Sequence, residues 1–196
     1  MTMNLRRIGL VAGLALMAGC GTSPPVRYYT LNAVEAPAAA GAPGKVELMV
    51  TVGPVSVPDA VDRSQIVLRV GANRVERSEF NRWGEALKLA IPRVVAASLA
   101  REFTSAQIFV YSPSAPPADF RVLIDVERFE SEPAKAVAIE AVWSILPRAK
   151  GEPKVGRSVV REPVATAGYD ALVAAHSRAL NTLSREIAAA LRSMTR

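Results

Sequence analysis

The sequence predicts an α/β domain of the α+β kind: a single domain with a mixed, mostly antiparallel sheet and two long helices packed on one face. Three observations carry this. Segments 119–130, 135–146 and 155–164 alternate apolar and polar side chains with the period of two that a half-buried strand requires. Segments 78–103 and 169–194 instead repeat apolar residues every three or four positions, which is the helical period. Half of the 196 residues are hydrophobic and 21% are charged, ordinary composition for one globular domain of this length.

The first strand is predicted at 27–31 (RYYTL), where aromatic and β-branched side chains favour a pleated setting. Residues 32–45 are Ala, Pro and Gly for the most part and bury little, so they read as a loop. Residues 46–52 (VELMVTV) alternate as a strand, and Val55 and Val57 continue an extended path after Gly53-Pro54. Residues 65–70 and 74–76 form a hairpin around Gly71-Ala72-Asn73, since Gly and Asn tolerate positive φ. From Ser78, a plausible N-cap, a helix to residue 103 would carry Phe80, Trp83, Leu87, Ile91, Val94 and Leu99 on one face. Pro92 should kink or break it near residues 88–90. A short strand at 107–111 precedes the three-strand meander. The last helix, 169–194, has the clearest stripe: Leu172, Ala179, Leu180, Leu183, Ile187, Ala190, Leu191 and Met194. No repeat of 20 to 50 residues is visible.

The amino terminus gives an address. Arg6 and Arg7 precede 11 apolar or small residues (8–18), a layout of export signals. At about 1.5 Å per residue this stretch reaches roughly 17 Å, short of the roughly 30 Å hydrocarbon core of a bilayer. The expected division is a signal peptide at 1–19, a tether at 20–26 and a domain at 27–196. Leu16-Met17-Ala18-Gly19-Cys20 resembles a bacterial lipobox, with Met17 where Leu is usual, and this resemblance implies acylation of Cys20. Gly21, which is not Asp, then implies the outer membrane. A soluble secreted protein starting near residue 20 is the alternative. Only eight residues separate Cys20 from Tyr28, a reach of roughly 26 Å, so the body must sit close to the bilayer.

The polar inventory narrows the chemistry. One Cys excludes an intrachain disulfide, and one Cys with one His makes a Cys/His zinc site from this chain untenable. Neither a P-loop nor a dinucleotide fingerprint is present; 41–45 (GAPGK) lacks the spacing and the following Ser or Thr. His176, the natural acid/base suspect, falls on or beside the apolar stripe of the last helix and reads as a packing residue. Asp59 and Asp62 with Arg63, and Asp125 with Glu127, read as solvated charges and ion pairs rather than catalytic pairs. Net charge is +6, and +4 once residues 1–19 with their two arginines are removed. With no basic run and 6% aromatics, nucleic acid is not an expected partner. No catalytic residue, metal ligand or cofactor is assigned.

Four stretches in order carry a family resemblance: Tyr28-Tyr29-Thr30-Leu31, residues 52–58 (VGPVSVP), residues 62–67 (DRSQIV) and Glu79-Phe80-Asn81-Arg82-Trp83. Together they resemble the PqiC/YmbA family, the ABC-type transport auxiliary lipoprotein components, over most of residues 20–103; the C-terminal half agrees in pattern more than in motif. The resemblance implies a non-enzymatic part in lipid transport across the Gram-negative envelope, on the periplasmic face of the outer membrane. Its implied partners are an MCE-domain protein and an inner-membrane transporter component, and a homo-oligomeric ring is one form of assembly. Segment 52–70 and the first helix are the expected contact surface, with Asp62, Arg63, Arg82 and Trp83 as candidate partner contacts, because Trp and Arg dominate interface hot spots; for Trp83 itself a place in the core is the favoured reading. A periplasmic lipid carrier with an internal apolar pocket is the alternative function.

Overall fold

The computed structural model describes residues 23–34 and 48–195. The expected signal peptide and Cys20, and most of the Ala/Pro/Gly loop, lie outside the described residues. In chain order the elements are β1 (Arg27–Tyr29), β2 (Leu48–Ser56), β3 (Gln65–Arg69), β4 (Val75–Trp83), α1 (Leu87–Glu102), β5 (Ala106–Val110), β6 (Phe120–Glu132), β7 (Ala136–Pro147), β8 (Lys154–Pro163) and α2 (Tyr169–Met194). The strands divide into two mixed sheets, β1-β4-β3 and β5-β2-β6-β7-β8. In the larger one β2 runs parallel to both β5 and β6, and β6, β7 and β8 form the antiparallel meander.

Both helices pack on the larger sheet, α1 over β2 and β5 and α2 over β7 and β8, and against each other. The stripe of α2 supplies Leu172, Leu180, Leu183, Ile187 and Leu191, each at most 2% exposed. Burial of one such side chain contributes roughly 1.5–3 kcal/mol. Val50, Val52, Val122, Ile124, Ile139 and Ile145 meet them from the sheet.

Two local irregularities set which side chains face that core. Gly53 has φ of +111° and opens a register shift between β2 and β6, a conformation that a residue with a Cβ rarely adopts. In β6, Val126 pairs with Ala141 but Arg128 pairs with Glu140, so Glu127 is an extra residue. This bulge lets Val122, Ile124 and Val126 face inward and then Phe129 and Ser131 do the same.

The helix expected at 78–103 is corrected by the structure. Residues up to Trp83 are strand: β4 pairs parallel with β1 and antiparallel with β3, and the helix starts only at Leu87. Ser78 does accept a hydrogen bond from the Asn81 N–H at 3.1 Å, as a cap would, but inside a strand whose register slips there. Local helical spacing lost to pairing on two edges. Pro92 does not break α1, which is continuous from Leu87 to Glu102; as its sixth residue, Pro92 removes one ladder bond close to the helix start.

Candidate partner surface

The segment after β2 is a tight turn. Pro58 O accepts the N–H groups of Val61 and Asp62 at 3.0 and 3.1 Å, and Arg63 reaches back to Asp59 O at 3.2 Å. Asp62 then accepts Lys88 Nζ at 2.6 Å, tying the turn to the first turn of α1. That hydrogen bond, with the charge of Asp62, raises the Lys88 ammonium above its ordinary value. Trp83 N–H donates to Ser64 O at 2.7 Å, and Arg82 stands opposite Gln65. The four expected contact residues are thus neighbours, at the junction of turn, β4 and α1.

They do not all face outward. Trp83 is 5% exposed, its indole edge-on to Phe129 and His176 at ring distances of 6.0 and 5.9 Å. Its side chain is committed to the core. Asp62, Arg63 and Arg82 are half-buried, and the Nε atoms of Arg63 and Arg82 have no hydrogen-bond partner among the described residues.

His176 sits under this junction with no exposure. Its ring stacks on Phe129 at 4.2 Å and 6°, and its Nε2 shares a hydrogen bond with Ser131 Oγ at 2.8 Å. Burial pushes its pKa down to about 3, so the imidazole is neutral at ordinary pH. The ring is thus fully buried against three core side chains, Trp83, Phe129 and Ser131. Among the described residues no three His, Cys, Asp or Glu side chains gather closely enough to hold a metal ion, and no described helix is long and apolar enough to cross a membrane.

Sequence reasoning missed the charged lacing of the meander's outer face. Arg69 of β3 pairs with Glu130 of β6; Arg128 bridges Glu130 at 2.6 Å and Glu140 of β7 at 3.0 Å; Arg157 of β8 joins Glu140 at 3.0 Å and Glu127 at 2.6 Å. Burial pushes the Glu130 carboxyl up, yet the hydrogen bonds from Arg69 and Arg128 outweigh it and hold its pKa below the usual carboxylate value. Arg128 and Arg157 likewise hold Glu140 below it. Exposed ion pairs contribute little singly; the network matters here because Arg69 fastens the small sheet to the large one. The outward positions of β6 to β8 were readable as charged, but which charges meet depends on the bulge at Glu127.

The comparisons with known proteins agree with this architecture. A crystal structure of an uncharacterized protein superposes with a TM-score of 0.71 at 17% identity, covering 86% of this chain and 99% of that one. Protein XCC0632 from Xanthomonas campestris, of family DUF330, gives 0.62 at 19% identity, with 82% and 92% covered. At these identities the likeness is one of fold. A PelC dodecamer from Paraburkholderia phytofirmans reaches only 0.40 at 12% identity, covering 73% and 90%. No curated protein matches. The family model for the ABC-type transport auxiliary lipoprotein component, however, matches residues 29–188, from β1 almost to the end of α2, and the chain therefore belongs to that family.

Proposed function

We propose that this chain is a non-enzymatic docking component of an MCE-type lipid transport system, acylated at Cys20 and held on the periplasmic face of the outer membrane. Residues 1–19 are the signal peptide in this reading, 20–26 the tether and 27–196 the docking body. The observation that carries it is the closeness of the folded body to the one cysteine. Arg27 already pairs with Asn81 in the small sheet, seven residues after Cys20, so a lipid there would hold a rigid body within roughly 26 Å of the bilayer at Tyr28. Membership of a transport auxiliary lipoprotein family supports a role beside a transporter, and the MCE partner and outer-membrane address follow from the family resemblance and from Gly21. Asp62, Arg63 and Arg82 are the contact residues of this reading.

A lipid carrier is less well supported. The apolar space where β3 and the turn at 58–61 meet β6, lined by Val61, Val67 and Phe129, is about 110 Å³, whereas pockets for small ligands run to roughly 300–1,000 Å³. A diacyl lipid does not fit in that space.

Two measurements test the proposal. Mass spectrometry of protein from its native host should find Cys20 diacylated, and Cys20→Ala should remove the protein from the outer-membrane fraction. At about 0.8 kcal/mol per buried methylene, the partition should fall by orders of magnitude. Envelope crosslinking should recover an MCE-domain protein with the wild type, less of it with Arg63→Glu or Asp62→Lys. An unacylated, freely soluble wild type would overturn the anchor, and crosslinking that recovers no MCE protein would overturn the partnership.

A further inference from the structure

We propose that the exposed face of β1, with Val26 leading into it, seats on the phospholipid headgroup layer, so that the body is oriented by a direct contact as well as held by its leash. This rests on acylation of Cys20.

Tyr28 is 65% exposed and Val26 37% exposed, an aromatic and an aliphatic side chain beside the exposed Arg27. β1 is an edge strand, paired only through β4. Tyr28 and Arg82 are register partners in a parallel pair, so their side chains leave the sheet on the same side. Neither Arg27 nor Arg82 forms an ion pair with a described residue, although 11 such pairs form elsewhere. The face therefore offers a phenol, a short aliphatic group and, from Arg82, one guanidinium group not neutralised by the described residues, while Arg27 leaves the strand on the other side. Tyr prefers the membrane–water interface, where its ring reaches apolar depth and its hydroxyl stays wet. Arginine adds attraction to anionic headgroups.

The length of chain outside the described residues identifies the occupant as a bilayer rather than a protein. From Cys20 to Tyr28 the chain reaches at most roughly 26 Å, and Pro24-Pro25 favours an extended path over part of it. A leash this short holds the face at an effective concentration on the order of millimolar, so a patch too weak to bind vesicles on its own still makes contact. The opposite end of the body lacks this advantage. Tyr29 packs on Tyr169 at the start of α2, while Lys154 at the start of β8 bonds Ser193 near its end. At about 1.5 Å per residue those ends are roughly 36 Å apart along the helix.

The test uses the acylated full chain in vesicles of phosphatidylethanolamine and phosphatidylglycerol, with and without brominated acyl chains. The only native tryptophans, Trp83 and Trp143, are buried. In the Tyr28→Trp variant, brominated lipid should quench the added emission about twofold, as for a ring at the interface, and Val26→Glu in that background should weaken the quenching. Val155→Trp, also at an exposed site (63%) but at the start of β8, should be unquenched. Vesicle-bound Tyr28→Trp protein with unchanged emission would overturn the contact and leave the anchor standing. Equal quenching at both positions would overturn the orientation. Failure of the chain to float with vesicles would remove both the anchor and the inference built on it.

Discussion

The unfolding free energy is expected to fall by about 1.4 kcal/mol per pH unit as pH drops from roughly 6 to 5, the slope of one proton taken up on unfolding. The proton goes to His176, the only histidine in the chain. Folded, its pKa is pushed down to about 3 by burial; unfolded, it returns to about 6.5. Because the folded value is the lower one, the unfolded state holds more protons between these limits. Stability is therefore complete above pH 7 and lost as pH falls toward 3, by roughly 4–5 kcal/mol over the whole window. The paired carboxylates act lower down. Glu130, Glu132 and Glu140 have folded pKa values held below 4.5 by arginine partners, so their contribution is present above the unfolded value and lost only as pH falls below it. Urea unfolding at pH 7.5, 6.0, 5.5 and 5.0 separates the two windows. His176→Gln keeps a partner for Ser131 and should abolish the slope above pH 5 whatever it does to the absolute stability. An unchanged slope in that variant would show that another group takes up the proton.

The largest effect of a single added methyl is expected at Gly156. This residue of β8 stands directly opposite Trp143 of β7, and the indole lies across it: a Cβ at 156 would fall 2.1 Å from one ring carbon and 2.4 Å from the next. Glycine inside a strand marks such close approaches. The ring has little freedom to yield, because its Nε1 donates to Ser158 Oγ at 3.0 Å and that hydroxyl donates in turn to Glu186 of α2. Gly156→Ala should therefore cost about 3 kcal/mol, the upper end of ordinary overpacking, read as a shift in denaturant midpoint with the m-value unchanged. Trp143→Phe removes the colliding part of the ring, so the double variant should be more stable than the sum of the single losses by about 1 kcal/mol or more. Strict additivity would mean that the indole is not what excludes a side chain at 156.

The two long, strongly periodic parts of the chain were legible before any coordinates. α2 spans the predicted 169–194, and β6, β7 and β8 lie within two residues of their predicted bounds. What failed was the stretch around Phe80 and Trp83. Their spacing with Leu87 and Ile91 is helical, and the decision for strand came from β1 and β3, which pair with both edges of β4. The division into two sheets was hidden for the same reason, since it depends on which strands meet rather than on where strands occur. Of the candidate contacts, the grouping of Asp62, Arg63, Arg82 and Trp83 follows from β3–β4 pairing, but the inward turn of Trp83 required knowing that Phe129 and His176 converge on it. In this sequence Phe129 faces that way because the bulge absorbs the extra residue, Glu127.

That extra residue gives β6 one place where its length is negotiable. Val126 faces in, Glu127 and Arg128 face out, and Phe129 faces in again. A chain lacking Glu127 would therefore return to simple alternation, with each inward side chain still inward and Arg128 still opposite Glu140. Loss of Asp125 instead would keep Ile124 and Phe129 facing in but exchange two of the residues between them, turning Val126 toward water and the Glu127 carboxylate into the core. Among relatives, gaps and insertions along this strand should accordingly collect at the position of Glu127 and avoid the residues before it.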